Sequence, residues 1–424
     1  SAHTIHSQPG LLIAQATLWA TTWHYARLPP LFGRIETLLQ EDATLSADRH
    51  KILQAHLDLL RGIFLFRHGE VRQASAHLQA ALANLPAAHE SSRAQAISFL
   101  VWVYSTTGQR VAGFTLLQTA LAEDTASGRA TSIILLGAWI IHHLYAGELV
   151  EAAQVATRLL ALVEADRIPK AWQEVSFVDV WRGYAHYYLG AICYERNDLA
   201  AATQHWRQVE KLPPQLNSRA YHESLLGLAQ LAQARGSLAD ALAYAQASNE
   251  FATELGNAAA LASSEALITR LALLNGQRVE SLHRSEAIDT KANLGTSHWL
   301  ELLPLTRIRV LLANATPELL MAALQMAEIC LQQAEEAHNT RQVIQISALQ
   351  ALVLHAMRRQ TAAFRALEEA LALAAPRGFV RTFLDLGAPM TALLSAFASQ
   401  RGESPFIQSL LAAFTQDPDF AARR

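Results

Sequence analysis

The stretch Ala191–Trp206, AICYERNDLAAATQHW, decides the fold. Ala191–Arg196 reads as the end of an apolar helix, Asn197-Asp198 as a tight turn, and Leu199 onward as the next helix. Asn and Asp suit such a turn because they tolerate left-handed backbone and bond their own main chain. Five residues after Asn197 stands Ala202, on what should be the inner face of the second helix. A small side chain there lets two antiparallel helices approach closely.

The same unit recurs along most of the chain, which is the signature of a repeat architecture. The turn residues are Gly33, Gly69, Gly108, Gly147, Asn197, Gly236, Gly276, Asn314 and Arg358. Their spacings are 36, 39, 39, 50, 39, 40, 38 and 44 residues. Five residues past seven of these turns stand Ala74, Gly113, Ala152, Ala202, Ala241, Ser281 and Ala363. Gly33 and Asn314 fit the pattern poorly. Pro86, Pro214 and Pro376 fall 17 or 18 residues past three turns, where a second helix should stop. Helix pairs of this kind cannot bury their apolar faces alone and stack on their neighbours. The expected fold is all-α: a right-handed superhelical α-solenoid of about nine helix hairpins, with a concave groove lined mainly by first helices.

Composition agrees. Hydrophobic residues make up 51% of the 424, Ala and Leu dominate, and Gly (19) and Pro (13) stay low, as in stacked helices. A net charge of −3 with both signs well mixed gives no electrostatic footprint for nucleic acid. The two cysteines, Cys193 and Cys330, lie in different repeats and form neither a disulfide framework nor a zinc pattern. That usage fits a reducing, cytoplasmic setting, and SAHTIHSQPG carries no signal-peptide pattern. Residues 130–147 are 18 in a row without a formal charge, but they include His142, His143 and two glycines and end at a turn. They read as a buried helix, since a lone membrane span would break the stacking.

Taken in order, residues 1–50 form an irregular helix pair broken by Pro29-Pro30, residues 51–376 the repeat superhelix, and 377–424 C-terminal capping helices. The spacing of 50 before Asn197 implies about 11 extra residues near 165–176. Beside them lies an aromatic centre: Trp172, Phe177, Trp181, Tyr184, Tyr187, Tyr188, Tyr194 and Trp206. A looser linker, residues 289–298, leads into 299–314.

Three stretches carry a resemblance to a known family: YERNDLAAA (194–202), AEEAHNTRQVIQISALQALVLHAM (334–357) and LEEALALAAPRGFVRTFLDLG (367–387). Together with the period near 39, the chain resembles the tetratricopeptide-like sensor domain of large LuxR-type, ATP-dependent (STAND-class) transcriptional activators related to the maltose-regulon activator. In that family A-x-P-x-G-[FY]-V-R-x-F-x-D-x-G closes the repeat domain before the DNA-binding helices, and residues 374–387 match it. The resemblance implies a regulatory domain that binds a small-molecule inducer or a regulatory protein and controls self-association of a nucleotide-binding module. No GxxxxGK[ST] phosphate loop occurs, so ATP would belong to an N-terminal module outside this sequence, and no cofactor is expected here. Only ten residues follow Phe414, too few for a helix-turn-helix, so this fragment is not expected to bind DNA itself.

Catalytic patterns are missing. The sequence has no G-x-S-x-G elbow and no H-E-x-x-H helix, and His89-Glu90 and His222-Glu223 each lack the second histidine. The 17 histidines are scattered, so neither an enzyme nor a metal centre is expected. A ligand groove is the sharper expectation. In tetratricopeptide-type repeats, first-helix positions about 13, 10, 6 and 3 before the turn line the groove. These positions are Tyr184, Tyr187, Ala191 and Tyr194 before Asn197, Gln95, Ser98, Trp102 and Ser105 before Gly108, and Ile134, Gly137, Ile141 and Leu144 before Gly147. Before Gly236 they are Glu223, Leu226, Gln230 and Gln233. Tyr184, Tyr187, Tyr194, Trp102 and Gln230 are the candidate ligand residues, because Tyr and Trp pair a flat apolar face with a polar edge. Two alternatives stand beside this: the aromatics pack the one irregular repeat, or the chain is a constitutive scaffold for protein partners or self-association.

Overall fold

Left-handed backbone marks the turns. The computed structural model describes residues 8–42, 44–127, 131–165, 177–288 and 301–416. Trp172, the extra residues around Pro169, the linker 289–298 and Trp299 lie outside them, as does the side chain of Phe177. Gly69, Gly108, Gly147, Gly236 and Gly276 have φ between 72° and 84°, Asn197 66° and Arg358 60°. Each of these seven turns has the same hydrogen bond, in which the amide after the turn residue donates to the carbonyl five residues back. Asp198 to Cys193 (2.8 Å) and Arg359 to Leu354 (2.9 Å) are examples. This pattern satisfies carbonyls that a helix end would otherwise leave open.

Among the described residues the helices form nine hairpins. They are α1 (Pro9–Thr21) with α2 (Leu28–Glu41), α3 (Ala47–Arg67) with α4 (Val71–Asn84), α5 (Glu90–Thr106) with α6 (Arg110–Ser127), and α7 (Ser132–Tyr145) with α8 (Leu149–Glu164). Next come α9 (Phe177–Glu195) with α10 (Leu199–Glu210), α11 (Ser218–Ala234) with α12 (Leu238–Leu255), and α13 (Ala258–Leu274) with α14 (Arg278–Glu286). The last two are α15 (Leu303–Asn314) with α16 (Pro317–Glu336) and α17 (Thr340–Ala356) with α18 (Gln360–Ala374). Three further helices follow: α19 (Arg381–Leu384), α20 (Gly387–Arg401) and α21 (Pro405–Gln416). The chain is an all-helical α-solenoid. Among the described residues no helix is long and apolar enough to cross a membrane. The uncharged stretch near 140 forms α7, 14 residues long and buried along most of its length.

The small residues five past the turns are where the helices meet. Ala74, Ala152, Ala202, Ala241, Ser281 and Ala363 are all fully buried. A Cβ on Gly113 would stand 3.1 Å from that of Tyr104. The largest wedge is Trp206 of α10, fully buried between two first helices. Cβ atoms on Gly190 of α9 and Gly227 of α11 would fall 2.5 and 2.6 Å from its ring, so both positions need glycine.

Two turn assignments are corrected. Gly33 lies inside α2 with open space around it. The first hairpin turns instead at Trp23, with φ 69°, because Pro29 and Pro30 start α2, where a missing N–H costs nothing. Asn314 ends α15, and its neighbour Ala315 takes the left-handed conformation (φ 48°) before Thr316 caps α16.

The solenoid closes on itself. α17 packs against α7, and α19 against α9. Arg377 Nε donates to the Ala146 carbonyl at 3.1 Å, and Arg377 and Phe379 lie against Gly147. His338, at the turn before α17, lies against Gly108. From the other end, the Trp23 carbonyl accepts from Asn257 Nδ2 at 2.7 Å, and the Trp23 ring meets His222 edge-on at 5.4 Å. Hence both ends of the chain touch its middle hairpins.

Candidate ligand site

The first helices place their polar residues against the next first helix. Ser98 Oγ donates to the Ile134 carbonyl (3.5 Å), Trp102 Nε1 to Ala138 (3.3 Å), and Tyr194 Oη to Gln230 (3.4 Å). The helical register at 3, 6 and 10 residues before the turn therefore bonds neighbouring repeats together.

Two clusters form on the inner wall. The first gathers around the C-terminal segment 379–387. Val380 N–H donates to the Glu195 carbonyl (3.0 Å), and Thr382 N–H to Glu195 Oε1 (2.8 Å). Asp385 accepts from Tyr194 Oη (3.0 Å) and from Arg381 Nε (3.0 Å), and Arg270 lies 3.6 Å away. Gln230 Nε2 donates to Glu301 Oε2 (3.1 Å), a carboxylate also held by Arg270 (3.2 Å), Arg309 (3.5 Å) and Thr306. Burial pushes the Asp385 carboxyl up, but Arg381 and Arg270 outweigh it, and its pKa ends below the usual carboxylate value. Burial, joined by the charge of Arg270, lowers Arg309 to about 10, and burial lowers Arg341 to about 10 despite Glu195. These residues enclose a cavity of about 30 Å³. That is room for a water or two, not for an organic molecule.

The second cluster is aromatic. Arg67 lies 5.4 Å above the Phe99 ring and 5.5 Å above that of Trp102. Arg219 of α11 lies 5.8 Å over Trp23. Tyr145, Tyr184 and Tyr188 all feel the charges of both Arg67 and Arg219. Tyr184 stacks on Tyr188 with centroids 6.1 Å apart, and Tyr188 contacts Tyr187 at 4.9 Å. Burial raises all four phenols, Tyr145 to about 12, so every hydroxyl here is a neutral donor.

The five candidate residues divide between these clusters. Tyr194 and Gln230 belong to the polar one, and both are buried. Trp102, Tyr184 and Tyr187 belong to the aromatic one; Trp102 and Tyr187 are buried, whereas Tyr184 is half-buried. Tyr187 is 1% exposed; its carbonyl accepts from Trp206 Nε1 (3.3 Å), and its own hydroxyl has no partner. Sequence reasoning missed Arg67, Tyr145, Arg219, Arg270 and Asp385. Two signals were present. Arg270 stands 6 before Gly276, the register of Gln230, and Arg219 and Arg341 both stand 17 before their turns. Asp385 had no such signal beyond the 374–387 motif.

Comparison with known proteins adds the following. No curated protein matches the chain. Among solved structures it is similar to the Cut9–Hcn1 hetero-tetramer of the APC/C, with a TM-score of 0.35 at 12% identity over 96% of this chain and 90% of that one. It is also similar to the TPR domain of P58(IPK), with a TM-score of 0.22 at 14% identity over 87% and 99%. The family model of the MalT-like TPR region matches residues 55–401, from within α3 to the end of α20. That match spans the seven regular turns, their small-residue contacts and both clusters apart from Trp23, and the chain therefore belongs to the MalT-like TPR region family.

Proposed function

We propose that this chain is the effector-sensing and interaction region of a LuxR-type transcriptional regulator. It takes a small inducer among its inner aromatic residues and reports occupancy through its C-terminal segment. One observation carries the reading: Tyr187 and Tyr194 lie two turns apart on α9, and Tyr194 holds Asp385 of the segment that leaves the repeats. A ligand that shifts α9 by a fraction of an ångström reaches the Asp385–Arg381–Arg270 network directly. Closely packed interfaces have discrete arrangements and convert small shifts into larger ones. A catalytic role has no support in the site, where the tyrosines stay neutral and Asp385 is held by arginines. ATP and DNA contacts would belong to other modules of the regulator.

The alternative, a constitutive scaffold for protein partners or self-association, predicts a continuous open groove. Docking of segment 379–387 on the inner wall and of Trp23 on α11 and α13 favours an enclosed site instead. A thermal-shift screen of the chain against sugars, amino acids, acyl and aromatic metabolites separates the two. Saturating ligand at a hundred times its dissociation constant stabilises by about 2.7 kcal/mol. Stabilisation by a metabolite, reduced by Tyr187→Phe or Trp102→Phe, supports the sensor. A flat screen together with capture of a defined partner or a homodimer would replace it with the scaffold.

A further inference from the structure

Four side chains lining the polar cavity each carry a buried atom with no hydrogen-bond partner among the described residues: Arg270 Nη2, Arg309 Nε, Gln345 Oε1 and Thr382 Oγ1. They come from four different helices, α13, α15, α17 and α19. Arg270 is 4% exposed, and its Nη2 stands 3.6 Å from Asp385, an ion pair beyond hydrogen-bond reach. Buried polar atoms of this kind are costly unless something satisfies them, and a shared cavity lets one guest satisfy several.

The charges around the cavity do not cancel. Arg270, Arg309, Arg341 and Arg381 stand against Glu195, Glu301 and Asp385, an excess of one positive charge. Glu223 acts on Arg341 too, behind Glu195 and Tyr187, but it is the main countercharge of Arg219, one turn away on α11. Counting that pair as well leaves the excess unchanged.

We infer that this cavity binds one small inorganic anion, chloride above all, between Arg270, Arg309 and Thr382, and that the ion fastens the C-terminal segment to the inner wall. A volume of about 30 Å³ suits a monatomic ion of roughly the size of water. Two guanidinium N–H groups and a hydroxyl face it against one amide oxygen, and the Gln345 amide turned over presents N–H instead. An acceptor with no hydrogens of its own fits these donors better than water does, and bonds from guanidinium to an anion are the stronger kind. Arg309 keeps 20% of its side chain exposed, which gives ions a way in.

The test is the linewidth of the chloride NMR signal in solutions of the chain, with bromide as competitor. The expected result is saturable broadening that bromide removes. Thr382→Val keeps the amide that donates to Glu195 and should weaken chloride by about tenfold, the loss of one hydrogen bond to an ion. Arg309→Gln should abolish the broadening, and Glu301 keeps Arg270, Gln230 and Thr306, so the fold should stand. Replacing gluconate by chloride should slow exchange of the Val380 and Thr382 amides in the parent chain but not in Arg309→Gln. Bromide-soaked crystals should show an anomalous peak within hydrogen-bond reach of Arg309 Nε. Should Arg309→Gln fail to fold, Thr382→Val and the bromide crystals decide. No broadening, broadening unchanged by these substitutions, or a cavity holding only water in bromide crystals would overturn the inference. The inducer reading, which rests on the aromatic residues and the metabolite screen, would survive each of these results.

Discussion

Trp206 shows how much one residue can carry. It fills the gap between α9 and α11 that Gly190 and Gly227 leave open, and Trp206→Ala should cost about 3–5 kcal/mol, read from urea melts. Gly227→Ala should also destabilise, because the new Cβ would meet the rigid indole at 2.6 Å. The buried histidines set the pH response. Burial lowers His142, His186 and His222 to about 4, with His222 Nε2 against Ser264 Oγ at 3.0 Å and the Ala260 carbonyl at 3.1 Å. The unfolded imidazole takes its proton near pH 6.5 and the folded one only near 4, so the unfolded chain binds more protons between. Stability should be full above pH 6.5 and fall as pH drops towards 4, by roughly 1–3 kcal/mol per histidine. Urea midpoints at pH 7 and 5 measure the fall, and His222→Gln should make it smaller.

At the scale of elements, the turns were legible and the reason is steric. A positive φ favours Gly or Asn, so six of the seven regular turns announce themselves by residue type, and the period supplied Arg358. Arg358→Gly should therefore stabilise, by up to about 1 kcal/mol, since glycine relieves a strained left-handed residue. Gly147→Ala should do the opposite and more, because its Cβ would also press on Arg377 at 3.0 Å. Residue type misleads where a glycine does no steric work. Gly33 sits on the exposed side of α2 with nothing near it, and only the structure distinguishes it from a turn. Trp23 is the converse, a turn that residue type conceals and a bond to Asn257, 234 residues away, holds in place.

For the whole molecule, the repeat period describes how each hairpin meets the next and nothing about hairpins far apart. The offsets before each turn placed Tyr194 and Gln230 correctly on first helices, but their partners Asp385 and Glu301 come from distant chain. The motif at 374–387 reads in sequence as a closing segment; in the fold it also lines the inner wall. A double-mutant cycle of Tyr194→Phe and Asp385→Asn should give a coupling of roughly 0.5–3 kcal/mol, the range for residues in one network. Asp385→Asn alone should be the costlier change, because it strips a carboxylate from Arg381 and Arg270. The most direct measurement for the sensor account is amide hydrogen exchange, with and without the metabolite that stabilises the chain most. The account predicts that the Val380 and Thr382 amides, bound to Glu195 in the free chain, change protection together with those of α9 when ligand binds. Altered exchange in α9 with residues 380–384 unmoved would contradict it.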